Sequence, residues 1–288
     1  MNILFAFLLL MKLTAAAQDS SSAVVVEDML GSFDDAASLS IAPNGIAFVA
    51  DKHSSKIYSL SFHNQQIRSF GGSGWGEYAF DTPVDVTATF LLELFVVDRN
   101  NRRVQQFDRT LNFVQSYDEN LDARTIGKFL PQSAAISRAG NLFILELDGK
   151  RILKLNGRKQ IEKIFGIISD GKGRLQMPID LSITDANQVF VLDDYTVKMY
   201  DEYGNYISSV LLKKDTKWKT LSTFSNGFLV TSPQEILLFS NENTLLSTLQ
   251  MQNFFGMNSE ERFVDAALVD TKLYVLTQHH LYRCSIQP

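Results

Sequence analysis

Three aspartates at matched positions of a repeated pattern are the residues best placed to do chemistry: Asp85, Asp180 and Asp265. A short phrase, clearest as Val96-Val97-Asp98, recurs along the chain. Its copies end at residues 51, 98, 146, 193, 231 and 277, in steps of 47, 48, 47, 38 and 46. Counting thirteen back from the phrase end reaches Ser38, Asp85, Ser133 and Asp180, and Asp265 lies twelve before Thr277. If the repeats stand in a ring, these five side chains line the mouth of its central channel and form a ligand-binding set. The aspartates then come from the second, fourth and sixth units. Hard oxygen ligands converging in this way suit Ca²⁺ or another cation, which makes the trio a candidate metal site. The plainer reading is that each carboxylate accepts a hydrogen bond from the neighbouring unit's backbone. The phrase-ending Asp51, Asp98, Glu146 and Asp193 read more simply, as carboxylates capping the turns that follow them.

Other chemistries find less support. The stretch Lys213–Lys219 is the one basic run that carries an aromatic. Its Lys217, Trp218 and Lys219 read either as a face loop contacting an anionic or carbohydrate ligand or as a solvated loop. Of the four histidines, His53 and His63 fall in outer positions. His279 and His280 are adjacent, so on a strand they point to opposite faces, and no set of three supports zinc. No Ser-His-Asp arrangement has local support. The glycine-rich stretch 71–76 leads into a strand and lacks Gly-Lys-Ser/Thr, so it is not a phosphate loop. Cys284 is the only cysteine, which excludes an intrachain disulfide and reads as a buried, inert thiol.

The elements that must position these residues are short strands. Within residues 83–119 there are four, 83–88, 92–97, 103–107 and 112–117, separated by turn formers and without helical periodicity. The first two are nearly all apolar, as for strands buried on both faces, and the last two alternate. A single meander of this kind cannot bury both faces, whereas six arranged radially can. The expectation is an all-β, six-bladed β-propeller of four-stranded antiparallel blades. The last unit runs out after three strands. The segment Ala23–Leu30 supplies a spare one, so the N-terminal strand should complete the final blade and close the ring.

The apolar run Ile3–Met11, then Ala15-Ala16-Ala17 and a polar stretch, reads as a signal peptide over residues 1–17, with the propeller over 18–288. No cysteine stands directly after the cleavage site, so no lipid anchor is expected there. The implied compartment is secreted or periplasmic, with no stable membrane insertion after cleavage. A hydrophobic content of 45% argues against disorder, and a net charge of −5 argues against a nucleic-acid partner.

The second unit resembles an NHL repeat. The lead is Phe70-Gly71-Gly72 through Phe80, the start is Pro83-Val84-Asp85-Val86, and the continuation is Val97-Asp98 through Arg103-Val104-Gln105-Gln106-Phe107. Phe165-Gly166 to Leu175 with Pro178-Ile179-Asp180-Leu181 and Val191-Leu192-Asp193 is a second match, and the unit at 218–250 is the most divergent. The chain is also similar to the secreted six-bladed propellers of bacterial envelopes. The resemblance implies the fold and no single activity, because such propellers host binders and enzymes alike. Amidating-lyase relatives bind zinc through axial histidines, which cannot be matched here. Lactonase-type relatives hold an axial Ca²⁺; the Asp trio is compatible with that, but their Glu and paired Asn ligands are not found. The expected function is a non-enzymatic binding or scaffold module that holds a protein, peptide or glycan on one face. The alternative is a cation-dependent hydrolase or lyase with its site at the channel mouth.

Overall fold

The structure is a computed structural model that describes residues 23–121 and 127–287. Six antiparallel sheets stand around one axis. Blade 1 is Ala36–Ile41, Ala47–Asp51, Lys56–Ser61 and Gln66–Gly71, each strand paired to the next. Blades 2 to 5 repeat this order, their first strands being Pro83–Ala88, Pro131–Ile136, Pro178–Ile183 and Thr220–Phe224. Blade 6 has only three strands of its own, Phe263–Val269, Lys272–Thr277 and Leu281–Ile286. Its fourth is Val24–Leu30, which pairs antiparallel with Leu281–Ile286 and so joins the two ends of the ring as the sequence implied. The two-residue strand Phe254–Phe255 adds a parallel edge beyond it. The candidate signal peptide lies outside the described residues.

The second strands are buried along their whole length in every blade except the last, because both of their faces meet a neighbouring blade. The apolar core is therefore divided into slabs between blades. One packs Phe48, Ala50 and Ile57 of blade 1 against Phe80, Val86, Val96 and Phe107 of blade 2. Each buried Val, Ile or Phe among them contributes about 1.5–3 kcal/mol of burial.

The glycine-rich lead is part of this scaffold. Asn101 donates to the Gly74 carbonyl at 2.7 Å, and Arg103 donates to those of Trp75, Gly76 and Ala79 at 2.7–2.9 Å. Gln105 donates to Ala79 as well. The Asn, Arg and Gln of the repeat phrase thus serve to fold the lead over the blade. Gly71 has φ +108°, and a Cβ there would meet the Phe80 ring at 2.8 Å, so only glycine fits.

Candidate functional site

A β-bulge in the first strand of five blades aims the candidate residues. The pairing with the second strand slips between Ala36 and Ser38, Pro83 and Asp85, Pro131 and Ser133, Pro178 and Asp180, and Phe263 and Asp265. One extra residue bends the strand, and the residue after it turns into the channel. Blade 5 has no such slip. Its contribution is Thr220, which counting from the phrase end does not reach.

These side chains form one hydrogen-bonded ring in which Ser or Thr alternates with Asp. The Ser38 hydroxyl donates to Asp85 Oδ1 at 2.7 Å and accepts from the Val86 N–H at 3.3 Å. Asp85 Oδ2 accepts from the Ala134 N–H of blade 3 at 2.8 Å. The Ser133 hydroxyl accepts from the Leu181 N–H of blade 4 at 3.3 Å. Asp180 Oδ2 accepts from the Leu221 N–H of blade 5 at 2.7 Å, and Asp265 Oδ2 accepts from the Leu39 N–H of blade 1 at 2.8 Å. Thr220 donates to the Val264 carbonyl and stands beside Asp265. Each aspartate therefore stitches its blade to the next one, as the plainer reading of the repeat expected.

Ser38, Asp85, Asp180 and Asp265 of the ring line a channel of about 230 Å³. Asp265 is buried, and the exposed part of Asp85 and Asp180 faces this narrow space. Burial lifts all three carboxyls above the usual range. Asp180 lies well above it, with the charges of Asp85 and Asp265 adding to the effect, and Asp265 is raised to about 7. Hydrogen bonds to backbone N–H groups oppose the rise without cancelling it.

The described residues form no ready-made cation site. Among the described residues no group of three or more His, Cys, Asp or Glu stands close enough to hold a metal ion. Asp180 and Asp265 each spend both oxygens on backbone N–H groups, and Asp85 spends its two on Ser38 and Ala134. The histidines do not converge either. His279 and His280 lie in the turn between Thr277 and Leu281 rather than on a strand; His279 Nδ1 faces the Phe33 carbonyl, and His280 Nδ1 lies 2.7 Å from Glu261.

Above the ring the channel widens into a recess of about 310 Å³. Its throat is made of the bulge residues Ala37, Val84, Gln132 and Val264, and its rim carries Lys52, Arg99, Lys219 and Arg262. Lys219 is the only one of these cations that the sequence singled out. Trp218, expected beside it as a contact surface, is 3% exposed and packs in the core between blades 4 and 5, with its Nε1 donating to the Lys213 carbonyl. It anchors the loop and offers no face to a ligand, because an indole in a slab between blades is worth more buried than exposed. Lys217 turns away to a larger recess between blades 5 and 6, where Lys213 is bound to Glu235. The cations that sequence reasoning missed carry a signal in the register. Lys52 and Arg99 each follow a phrase end, and Lys219 and Arg262 each precede a first strand.

No family model and no curated protein matches the sequence. Solved structures do match the fold. Virginiamycin B lyase from Staphylococcus aureus aligns at a TM-score of 0.64 with 8% identity over 90% of this chain and 98% of that one. A streptogramin B lyase aligns at 0.64 with 10% identity over 90% and 97%. A putative gluconolactonase aligns at 0.67 with 10% identity over 93% of each chain. At such identities the likeness establishes the six-bladed architecture, and the activities belong to those proteins. These matched structures are lyases and a putative lactonase, so the expectation of a non-enzymatic scaffold is corrected.

Proposed function

We propose that this protein is a hydrolase or lyase whose substrate enters the channel mouth and reacts above the ring of Asp85, Asp180 and Asp265. The observation that carries this reading is the buried carboxyl ring, with Asp265 raised to about 7, lying beneath an open polar recess. A carboxyl that titrates near neutrality can both donate and accept a proton at working pH, which general acid–base catalysis requires. The Ser and Thr hydroxyls between the aspartates keep the ring hydrogen-bonded in either protonation state. The reading draws no support for a bound cation. The enzymes among the structural neighbours favour it over a purely scaffolding role. The lead-to-strand contacts of Asn101, Arg103 and Gln105 are in keeping with an NHL-type repeat, and the run Ile3–Met11 is in keeping with export.

The test is a turnover screen of the purified chain against lactones, aryl esters and cyclic depsipeptides at pH 6–8. Asp265→Asn and Asp180→Asn should lower kcat by about 10²–10⁴-fold while the chain still folds and melts cooperatively. Wild-type rates in both variants would sink the proposal. So would turnover that appears only when Ca²⁺ or Zn²⁺ is added.

A further inference from the structure

We propose that the channel mouth is an oxyanion site, and that the molecule it takes is small and carries a carboxylate or phosphate group. The inference names the substrate class of the site proposed above and rests on that reading. Four cations line the mouth, and they come from four consecutive blades of the ring, 5, 6, 1 and 2. Lys219 and Arg262 occupy the position before the first strand, and Lys52 and Arg99 the position after the second. Asp35 is the only carboxylate among the lining residues, and it is paired with Lys52 at 3.2 Å. The recess therefore holds a formal excess of three positive charges (four minus one).

Two of these cations are held in place and incompletely used. Arg99 donates through one terminal nitrogen to Gln132 Oε1, while its Nε is buried without a partner. Arg262 Nη1 is fixed by the carbonyls of Ser259, Glu260 and Glu261. Lys219 is half-buried with no acceptor within ion-pair distance among the described residues; burial, then the charges of Lys52 and Lys217, lower its affinity for a proton, and the charge of Asp35 opposes them without cancelling them. Four cations sharing a single carboxylate are stabilised by an incoming anion. Guanidinium and ammonium groups around a small recess favour oxyanions, which accept several charge-assisted hydrogen bonds at once. At about 310 Å³ the recess suits a metabolite-sized molecule. On the opposite arc the same two register positions are Leu130, Leu147, Met177 and Asp194, none of them a cation, so the anionic end is oriented towards blades 5, 6, 1 and 2.

The experiment is calorimetric titration of the purified chain with inorganic phosphate and, separately, with citrate, at ~20 mM salt, where surface charge is weakly screened. Saturable binding is expected with at least one of them, and which one binds distinguishes a phosphate from a carboxylate substrate. Lys219→Gln and Arg99→Gln should each weaken binding by about tenfold or more. Lys163→Gln, an exposed cation on the fourth strand of blade 3, should leave it unchanged. If Arg99→Gln does not fold, Lys52→Gln on an exposed side chain reads the same site. Absence of binding by both anions overturns the proposal, as does equal weakening by Lys163→Gln. Binding is read without turnover, so the outcomes separate: anion binding in a chain that turns over nothing keeps this site and removes the enzymatic reading. Turnover of neutral esters without anion binding does the reverse.

Discussion

Asp193 and Asp180 lie in the same blade, on strands paired to each other, and both are shielded from bulk water; their surroundings differ. Asp193 is a phrase-ending carboxylate. It accepts from the N–H groups of Gln176 and Met177 and is bonded to Lys198 Nζ at 2.7 Å. Asp98 and Glu146 have the same arrangement with Arg103 and Arg151. Asp180 has no cation; its electrostatic neighbours are Asp85 and Asp265. The outer carboxylates therefore act as braces that tie the loop entering each blade to the turn leaving its second strand. The inner ones are held by hydrogen bonds alone against burial and mutual repulsion. The comparison teaches that one repeat, with one residue type, can build both scaffold and reactive groups. At Asp98, Glu146 and Asp193 a Lys or Arg reaches the carboxylate, whereas Asp51 is held by backbone N–H groups and the inner set meets its own like charges.

The difference can be broken most forcefully on the outer side. Asp193→Ala should cost about 3–5 kcal/mol, because it leaves Lys198 buried without its counter-charge. At roughly 2–4 °C per kcal/mol for a chain of this size, the melting temperature should drop by about 10 °C. A shift of a degree or two would mean that the brace contributes little.

The inner carboxylates should respond to pH. Asp265 is raised in the folded state to about 7 from an unfolded value near 3.8, so the folded chain holds an extra proton between those values. The stability this contributes is fully present below about pH 4 and is lost as pH rises through about 7. Denaturant melts across pH 4–8 should record a decline of about 4 kcal/mol from Asp265, with Asp85 and Asp180 contributing in the same sense. Asp265→Asn removes the titrating group, so it should flatten this decline, at a pH-independent cost of about 1–3 kcal/mol for the one backbone N–H that loses its acceptor. A variant that loses stability at pH 8 as Asp193→Ala does would erase the distinction between the two sets.

The smallest effect is expected at the hydroxyls between the aspartates. Ser38→Ala removes a donor to Asp85 and the acceptor for the Val86 N–H, at a cost of about 1 kcal/mol. It should also displace the pH-dependent part of the melt to higher pH, since Asp85 loses a hydrogen bond that holds its carboxyl down. An unchanged pH profile would show that the ring is not electrostatically continuous.

Much of this was legible in the residues. The spacing of Val97-Asp98 and its copies indicated six blades, and the unpaired Ala23–Leu30 indicated which strand closes them. Register arithmetic found Ser38, Asp85, Ser133, Asp180 and Asp265 in one ring, with Ser133 bridging Asp85 and Asp180. It missed Thr220, because blade 5 is shorter and lacks the bulge on which the count depends. It misjudged Trp218, since an aromatic among lysines looks exposed until a neighbouring blade is placed over it.

Taken alone, the chain determined the strand pattern, the blade number and the positions that face the axis. These follow from alternation, turn residues and repeat length, all set within a few residues or one repeat period. Only the tertiary structure decided which buried carboxylates meet a cation and which meet each other. It alone also brought Lys52 and Arg99 together with Lys219 and Arg262, because residues more than a hundred positions apart share a recess only once the last blade closes on the first.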